Sequence, residues 1–200
     1  GCEAAWMLAR RGFSVELCEM RPAVMTPAHR TGMLAELVCS NSLRSANPLN
    51  AVGLLKNEMR ALGSLILETA DSCAVPAGDA LAVDRNAFSA GITERLSTNP
   101  LVEIARREVE SLHTDRPAIV ATGPLTSEKL SRELASATGA GHLYFYDAIA
   151  PVVSSGSLDM SVVFAQSRYG KGGGDDYLNC PMNEVEYCAF RDELLSAETV

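Results

Sequence analysis

The chain has 200 residues, of which 47% are hydrophobic and 21% charged, with a formal net charge of −8. This is the balance of a globular chain able to bury one sizeable core, or one domain and the start of another, and no run approaches the roughly eighteen apolar residues of a membrane helix. The acidic balance excludes a surface that grips nucleic acid over its whole face, because counterion release needs many Lys and Arg at phosphates; any RNA contact has to be local.

Six cysteines (Cys2, Cys18, Cys39, Cys73, Cys180, Cys188) are scattered without a CxxC pair. They form neither a disulfide scaffold nor a zinc motif, so each thiol stands alone as packing or as a reactive group. No basic segment followed by an apolar one opens the chain, and a cytoplasmic protein is expected.

In chain order, residues 3–11 read as a helix with Gly12 as its cap, and Phe13, Val15 and Leu17 alternate into a strand ending at Glu19. Helix, glycine, strand and acid form the rear half of a βαβ unit. In a dinucleotide-binding βαβ, the third glycine of GxGxxG opens the helix and an acid about twenty positions on takes a ribose hydroxyl. Gly1 and Glu19 stand at that separation, although any βα protein can place a glycine and a Glu so.

Residues 21–47 lack a sustained period and read as a long loop with at most one helical turn near 34–38; loops of this length inside a domain are usually functional. Asn47-Pro48 reads as the cap of a helix with Val52, Leu55, Met59, Leu62 and Ile66 on one face. Residues 73–83 read as strand and turn. Asp84 then caps a helix carrying Phe88, Ile92 and Leu96, which Asn99-Pro100 stops. Residues 101–105 read as a strand, 106–117 as a charged hairpin-like stretch, and 118–124 as a buried apolar strand entering a glycine turn. Thr126 or Ser127 caps a helix reaching about Thr138, and 142–153 is strand-like. Residues 154–179 turn polar and glycine-rich before a helix near Asn183. The expected division is 1–150 and 151–200, and the alternation of strand and helix predicts an α/β fold with a parallel sheet.

Five segments go beyond a half-fingerprint: "AELVCSNSLRS" (35–45), "CAVPAGDALAVDR" (73–85), "ATGPLTS" (121–127), "YFYDAIAP" (144–151) and "SRYGKGGGDDYLNCPM" (167–182). Together, and in this order, they closely resemble the folate- and FAD-dependent tRNA (uracil-5-)-methyltransferase family, relatives of the GidA flavoproteins. The resemblance implies a Rossmann-like FAD-binding domain of the two-dinucleotide-binding kind, followed from 151 by the start of an inserted α/β domain on the folate and tRNA side. It further implies 5,10-methylenetetrahydrofolate as one-carbon donor, NADH or NADPH as reductant, and uridine in the tRNA T-loop as substrate, with no DNA or membrane partner. Members of the family are about twice this length, so the FAD site is expected to be incomplete, lacking its first strand and leading glycines. Stoichiometric flavin on the purified 200-residue chain would overturn that expectation.

Uracil C5 is a poor nucleophile until a thiolate adds at C6, so this chemistry needs a reactive Cys. The resemblance assigns Cys39 that work, followed by Ser40-Asn41-Ser42 and Arg44, and leaves open whether it is nucleophile or general base. A second functional cysteine is expected beyond residue 200. Read from the residues alone, Cys39 is better explained as a buried, inert thiol behind Leu37-Val38. Cys180 is a weaker candidate, and Cys2, Cys18, Cys73 and Cys188 are expected to pack. For FAD, the resemblance implies Gly1 at the pyrophosphate, Glu19 at the ribose, Arg21 on the adenine side and Thr122 with Gly123 at a later turn. Arg85 is expected at the cofactor or in a surface ion pair, and 102–104 near adenine. Arg168, Tyr169 and Lys171 suit phosphate contact and stacking, or simply a solvated loop. His29, His113 and His142 are unassigned. The competing readings are a GidA-type enzyme of wobble-uridine modification, a flavoprotein reductase without an RNA partner, and a non-catalytic tRNA-binding protein that keeps FAD as a structural element.

Overall fold

A computed structural model of the chain describes residues 1–112, 115–139, 153–170 and 174–198. Two compact units are present, Gly1–Val75 with Ala80–Ala150, and Pro76–Asp79 with Pro151–Val200. The expected strand over 142–153 lies, but for Val153, outside the described residues, as do His113, His142 and Lys171.

The larger unit opens with helix α1 (Cys2–Ala9), whose N-cap is Gly1, and strand β1 (Val15–Cys18). The helix ends two residues earlier than its sequence suggests; Arg10 caps it and Gly12 follows at φ +84° in the turn to β1. β1 pairs in parallel with β5 (Val102–Ala105), in the register Val15–Val102 to Cys18–Ala105. The ladder extends one bond further, from the Glu19 N–H to the Ala105 carbonyl at 3.0 Å. The parallel α/β expectation is therefore met by a two-stranded sheet with α1 against it.

A second sheet has the order β2 (Ser42–Ser45), β4 (Ala80–Val83), β3 (Ala74–Val75), all antiparallel. β2 lies inside the stretch expected to be loop. Its alternation is too short to register in the sequence, and it exists because β4 gives it a partner. Its pairing slips between Ser42 and Ser45, where Arg44 takes φ +69°. A helical turn at 34–38 is not formed.

The long helix expected after Asn47-Pro48 is two helices, α2 (Ala51–Ala61) and α3 (Leu65–Ser72). Asn50, not Asn47, caps α2, accepting from the Gly53 N–H at 2.9 Å. The break falls at Gly63. Gly63 takes φ +77°, which only glycine adopts cheaply, and its carbonyl accepts from Arg10 at 2.9 Å and from the Trp6 indole at 3.2 Å. The expected apolar face is corrected too: Leu55 and Leu62 are exposed, and the buried residues of α2 are Gly53 and Lys56. α3 instead starts under Glu3, whose carboxylate accepts from Ser64 Oγ (2.9 Å) and from the N–H groups of Leu65 (3.2 Å) and Ile66 (3.0 Å). An acid on α1 thus caps another helix, a long-range bond of the kind local patterns do not encode.

Helix α4 (Arg85–Ser97) is capped by Asp84 as expected, with Phe88, Ile92 and Leu96 fully buried beside Leu65 and Ala70 of α3 and Ala5 and Ala9 of α1. The buried strand expected over 118–124 is not formed: residues 118–123 are exposed, Ile119 at 66%. Among the described residues it has no ladder partner, and an apolar segment without one cannot be a strand. Helix α5 (Glu128–Thr138) follows Ser127 and ends at Gly139, as expected.

In the smaller unit, β6 (Phe164–Ala165) pairs antiparallel with β7 (Leu178–Asn179). The turn 76–79 is held there, with Tyr177 Oη donating to the Ala77 carbonyl at 2.7 Å and the Gly78 N–H donating to Asp176 Oδ2 at 2.6 Å. Helix α6 (Glu184–Ser196) starts at a reciprocal capping box between Asn183 and Glu186.

Candidate functional site

Two places in the larger unit collect the sequence-predicted residues. At the first, the carboxyl ends of β1 and β5 meet the start of α1, the end of a parallel sheet at which open α/β folds bind ligands. A Cβ added to Gly1 would stand 3.6 Å from Leu17 Cδ1 and 4.0 Å from the Ala121 carbonyl oxygen, so the helix start and the turn carrying Thr122 and Gly123 converge. Thr122 and Thr126 share a hydroxyl hydrogen bond of 2.6 Å, and Thr126 Oγ1 also donates to the Gly123 carbonyl at 2.9 Å, fixing that turn.

Glu19, directly after β1, is tied to Arg21. Its Oε1 accepts from the Arg21 backbone N–H and from Nε, both at 2.9 Å, and Oε2 accepts from Nη2 at 2.9 Å. Arg21 Nη1 then reaches Glu36 Oε2 at 2.8 Å and the Thr31 carbonyl at 3.3 Å. Four of its five N–H groups are thereby engaged within the protein, and the residue is 4% exposed. Arg21 is therefore a clamp between strand and loop rather than a free arm for adenine. Burial pushes the Glu19 carboxyl up, but the side-chain and backbone hydrogen bonds from Arg21 outweigh it and hold it below the ordinary carboxylate range. Burial acts likewise on Glu36 and is outweighed by the N–H of Arg30 and by the hydroxyl and N–H of Thr31.

Two residues of this network carry no signature in the sequence. Glu36 sits in the loop, and Arg106, just past β5, donates to the carbonyls of Arg21 (2.9 Å) and Gly32 (2.6 Å). Only the long-range pairing reveals them. His29, whose Nδ1 lies 2.6 Å from Thr26 Oγ1, is lowered by burial first and then by the Arg21 charge.

The arrangement fits a nucleotide. Glu19 Oε1 has both lone pairs taken, while Oε2 accepts one bond and keeps a second acceptor site for a hydroxyl. The first N–H groups of α1 point out of the same end of the sheet, where an anion is favoured. Arg85 is half-buried in the first turn of α4, off the antiparallel sheet, and is not brought to Glu19 or Gly1 by any bond among the described residues.

The second place is the Cys39 segment. Upstream, Leu34 is 1% exposed and its N–H donates to Thr93 Oγ1 of α4 at 2.9 Å. Downstream, Asn41 is bound twice to Val83, its Nδ2 donating to the carbonyl at 3.0 Å and its own carbonyl accepting from the N–H at 2.9 Å. Between these anchors Cys39 is exposed. The thiols of Cys2, Cys18 and Cys73 are all pushed up by burial, and Cys73 Sγ also lies 3.1 Å from the Thr69 carbonyl. Of the cysteines in this unit, Cys39 alone combines exposure with a fixed backbone. Cys180 is exposed in the smaller unit, where Tyr169 is 94% exposed at φ +57° in the short turn Arg168–Gly170. Among the described residues no helix is long and apolar enough to cross a membrane, and no group of three His, Cys, Asp or Glu is placed to hold a metal.

The sequence family described as "Glucose inhibited division protein A" matches residues 1–200. A protein of Anaeromyxobacter dehalogenans named methylenetetrahydrofolate--tRNA-(uracil-5-)-methyltransferase TrmFO is 60% identical over 201 residues, covering 100% of this chain and 44% of that protein. Proteins of the same name from Heliobacterium modesticaldum (59% identical, 99% of this chain, 45% of that protein) and Geobacter sulfurreducens (56%, 100% and 46%) are similar to it over the same extent. The chain thus spans a little under half the length of these relatives.

Proposed function

Since the chain belongs to the glucose-inhibited division protein A family, we propose that it is the FAD- and folate-dependent part of a tRNA (uracil-5-)-methyltransferase, with the tRNA T-loop uridine as its target. What carries the reading is the 56–60% identity, along the whole chain, to proteins bearing that name. The convergence of Gly1, Glu19 and the Thr122–Gly123 turn supports FAD as the group at the first site, with the α1 start at the pyrophosphate and Glu19 Oε2 at a ribose hydroxyl. Reduced FAD, when bound, supplies the electrons that convert a transferred methylene to methyl; 5,10-methylenetetrahydrofolate is the donor and NADH or NADPH the reductant.

In this reading Cys39 supplies the thiol that works on the uracil ring. Its exposure leaves the thiol open to a base, and the Leu34 and Asn41 anchors restrain the segment that carries it. Residues 151–200, with Arg168, Tyr169 and Lys171, begin the part that faces folate and tRNA, and Tyr169 is exposed enough to stack on a base or pterin. The test uses the intact protein with unmodified tRNA, methylenetetrahydrofolate and NADPH, and separately with S-adenosylmethionine. Methyl transfer is expected from the folate alone, and Cys39→Ala should abolish it while the flavin spectrum persists. Turnover by Cys39→Ala would remove that residue from the chemistry, and methylation from S-adenosylmethionine only would end the reading.

A further inference from the structure

Lys56 is 7% exposed, which is unusual for a lysine, and it shares the buried face of α2 with Gly53, three residues earlier. That face is pressed hard against the segment leaving β2, for a Cβ on Gly53 would collide with the backbone of Asn47. Among the described residues the one fully buried side-chain polar atom without a partner is Thr69 Oγ1, so the Lys56 amine keeps access to solvent at the end of a covered stem.

The charges acting on that amine are both positive. Burial lowers its pKa first, and Arg44 and then Arg60 lower it further. Arg60 is already neutralised by a two-bond pair with Asp71, each bond 2.7 Å. Neither Lys56 nor Arg44 is paired with a carboxylate among the described residues. Arg44 is exposed and sits at φ +69° on the β2 irregularity, its N–H donating to Ser42 Oγ at 3.1 Å. A left-handed arginine costs roughly 1 kcal/mol or more and persists only where the surroundings demand it. Helix α2 packs against β2, so Lys56, sunk in the covered face of α2, and Arg44, held in a strained bend of β2, put two cations without a carboxylate partner among the described residues at one junction.

We propose that Arg44 and Lys56 bind a backbone phosphate of the tRNA beside the uridine presented to Cys39. This rests on the tRNA methyltransferase reading. Arg44 is five residues from Cys39, at most about 18 Å by chain, and Asn41 pins the strand between them. The flavin phosphates belong elsewhere, at the α1 start on the parallel sheet, whereas Arg44 and Lys56 lie on β2 and α2. In a chain of net charge −8 such a local pair is what RNA contact requires.

The experiment measures binding of unmodified tRNA transcript to the intact, flavin-loaded protein across a salt series. Lys56→Met and Arg44→Ala should each weaken binding and make the log Kd against log salt slope shallower by about one, and Lys56→Arg should restore it. Flavin content and the circular dichroism melt should stay those of wild type. Should Lys56→Met fold poorly, Arg44→Ala at its exposed position carries the test. Unchanged slopes in folded variants of a wild type that still methylates tRNA overturn the phosphate site alone, as does loss of flavin with an unchanged slope. A wild type with no salt-dependent tRNA binding overturns the underlying reading as well.

Discussion

Arg21→Met removes the guanidinium that joins Glu19 to Glu36 and leaves both carboxylates facing a buried thioether. Orphaning a buried charge costs about 3–5 kcal/mol. The low end, about 3 kcal/mol, applies because the Glu19 and Glu36 side chains keep 18% and 12% exposure. For a chain of this size that lowers Tm by about 6–12 °C. The pH dependence is the sharper readout. In the wild type both carboxyls are held below their ordinary value, so the stability they contribute is complete above the unfolded pKa of about 4.3 and is lost as pH falls through their folded values. In Arg21→Met, burial still pushes Glu19 up while two of its three hydrogen bonds are gone. Its contribution then shrinks or reverses, so acidification from pH 6 to 4 should cost the variant less Tm than it costs wild type. Melts of the chain followed by circular dichroism at three pH values decide this. A variant with the wild-type slope would refute the idea that Arg21 sets the state of Glu19.

Gly53→Ala should be among the most damaging conservative changes in the chain, since the new methyl has only the Asn47 backbone to meet; loss of the cooperative melt, or a Tm drop beyond that of Arg21→Met, is expected. Glu3→Gln removes the charge that caps α3 and should cost about 1 kcal/mol, read as a melt lowered by about 2–4 °C. Asp84→Ala, which leaves the Asn86 and Ala87 N–H groups without their side-chain acceptor, should cost a similar ~1 kcal/mol.

The sequence revealed elements wherever local chemistry decides them. Asp84 before an apolar 3.6-residue stripe specified α4, and Phe88, Ile92 and Leu96 are indeed its buried face. Asn183 likewise marked the start of α6. Partners separated by many residues escaped. The stretch 118–124 has the composition of a buried strand, yet nothing among the described residues pairs with it, while "SLRS" has little strand character and is one because β4 lies alongside. The helix after Asn47 read as continuous because leucines recur at helical spacing, but Gly63 is bonded by Trp6 and Arg10 from fifty-odd residues away, and that contact sets the break.

The same distinction separates what was legible at the two candidate sites. Gly1, Glu19 and the Thr122–Gly123 turn were readable because each is a local backbone position: a helix start, a strand end, a glycine turn. Arg21 stood in the right place in the sequence, but its role depends on Glu36 and Thr31, fifteen and ten residues further on, which turn it inward. It follows that Glu19 serves two masters, for one oxygen is saturated by the clamp and the other retains a single acceptor site. Glu19→Ala would therefore release the loop as well as remove the acceptor proposed for a ribose hydroxyl, and a loss of flavin in that variant does not by itself report a lost contact. Glu19→Gln is the cleaner probe: its amide oxygen can still take the Arg21 backbone N–H and Nε, while its amide nitrogen opposes Nη2 and can no longer accept from a hydroxyl. A flavin loss with Tm lowered by no more than about 2–4 °C, the equivalent of one hydrogen bond, is the expected result. Parallel losses of fold and flavin would assign Glu19 to the clamp alone.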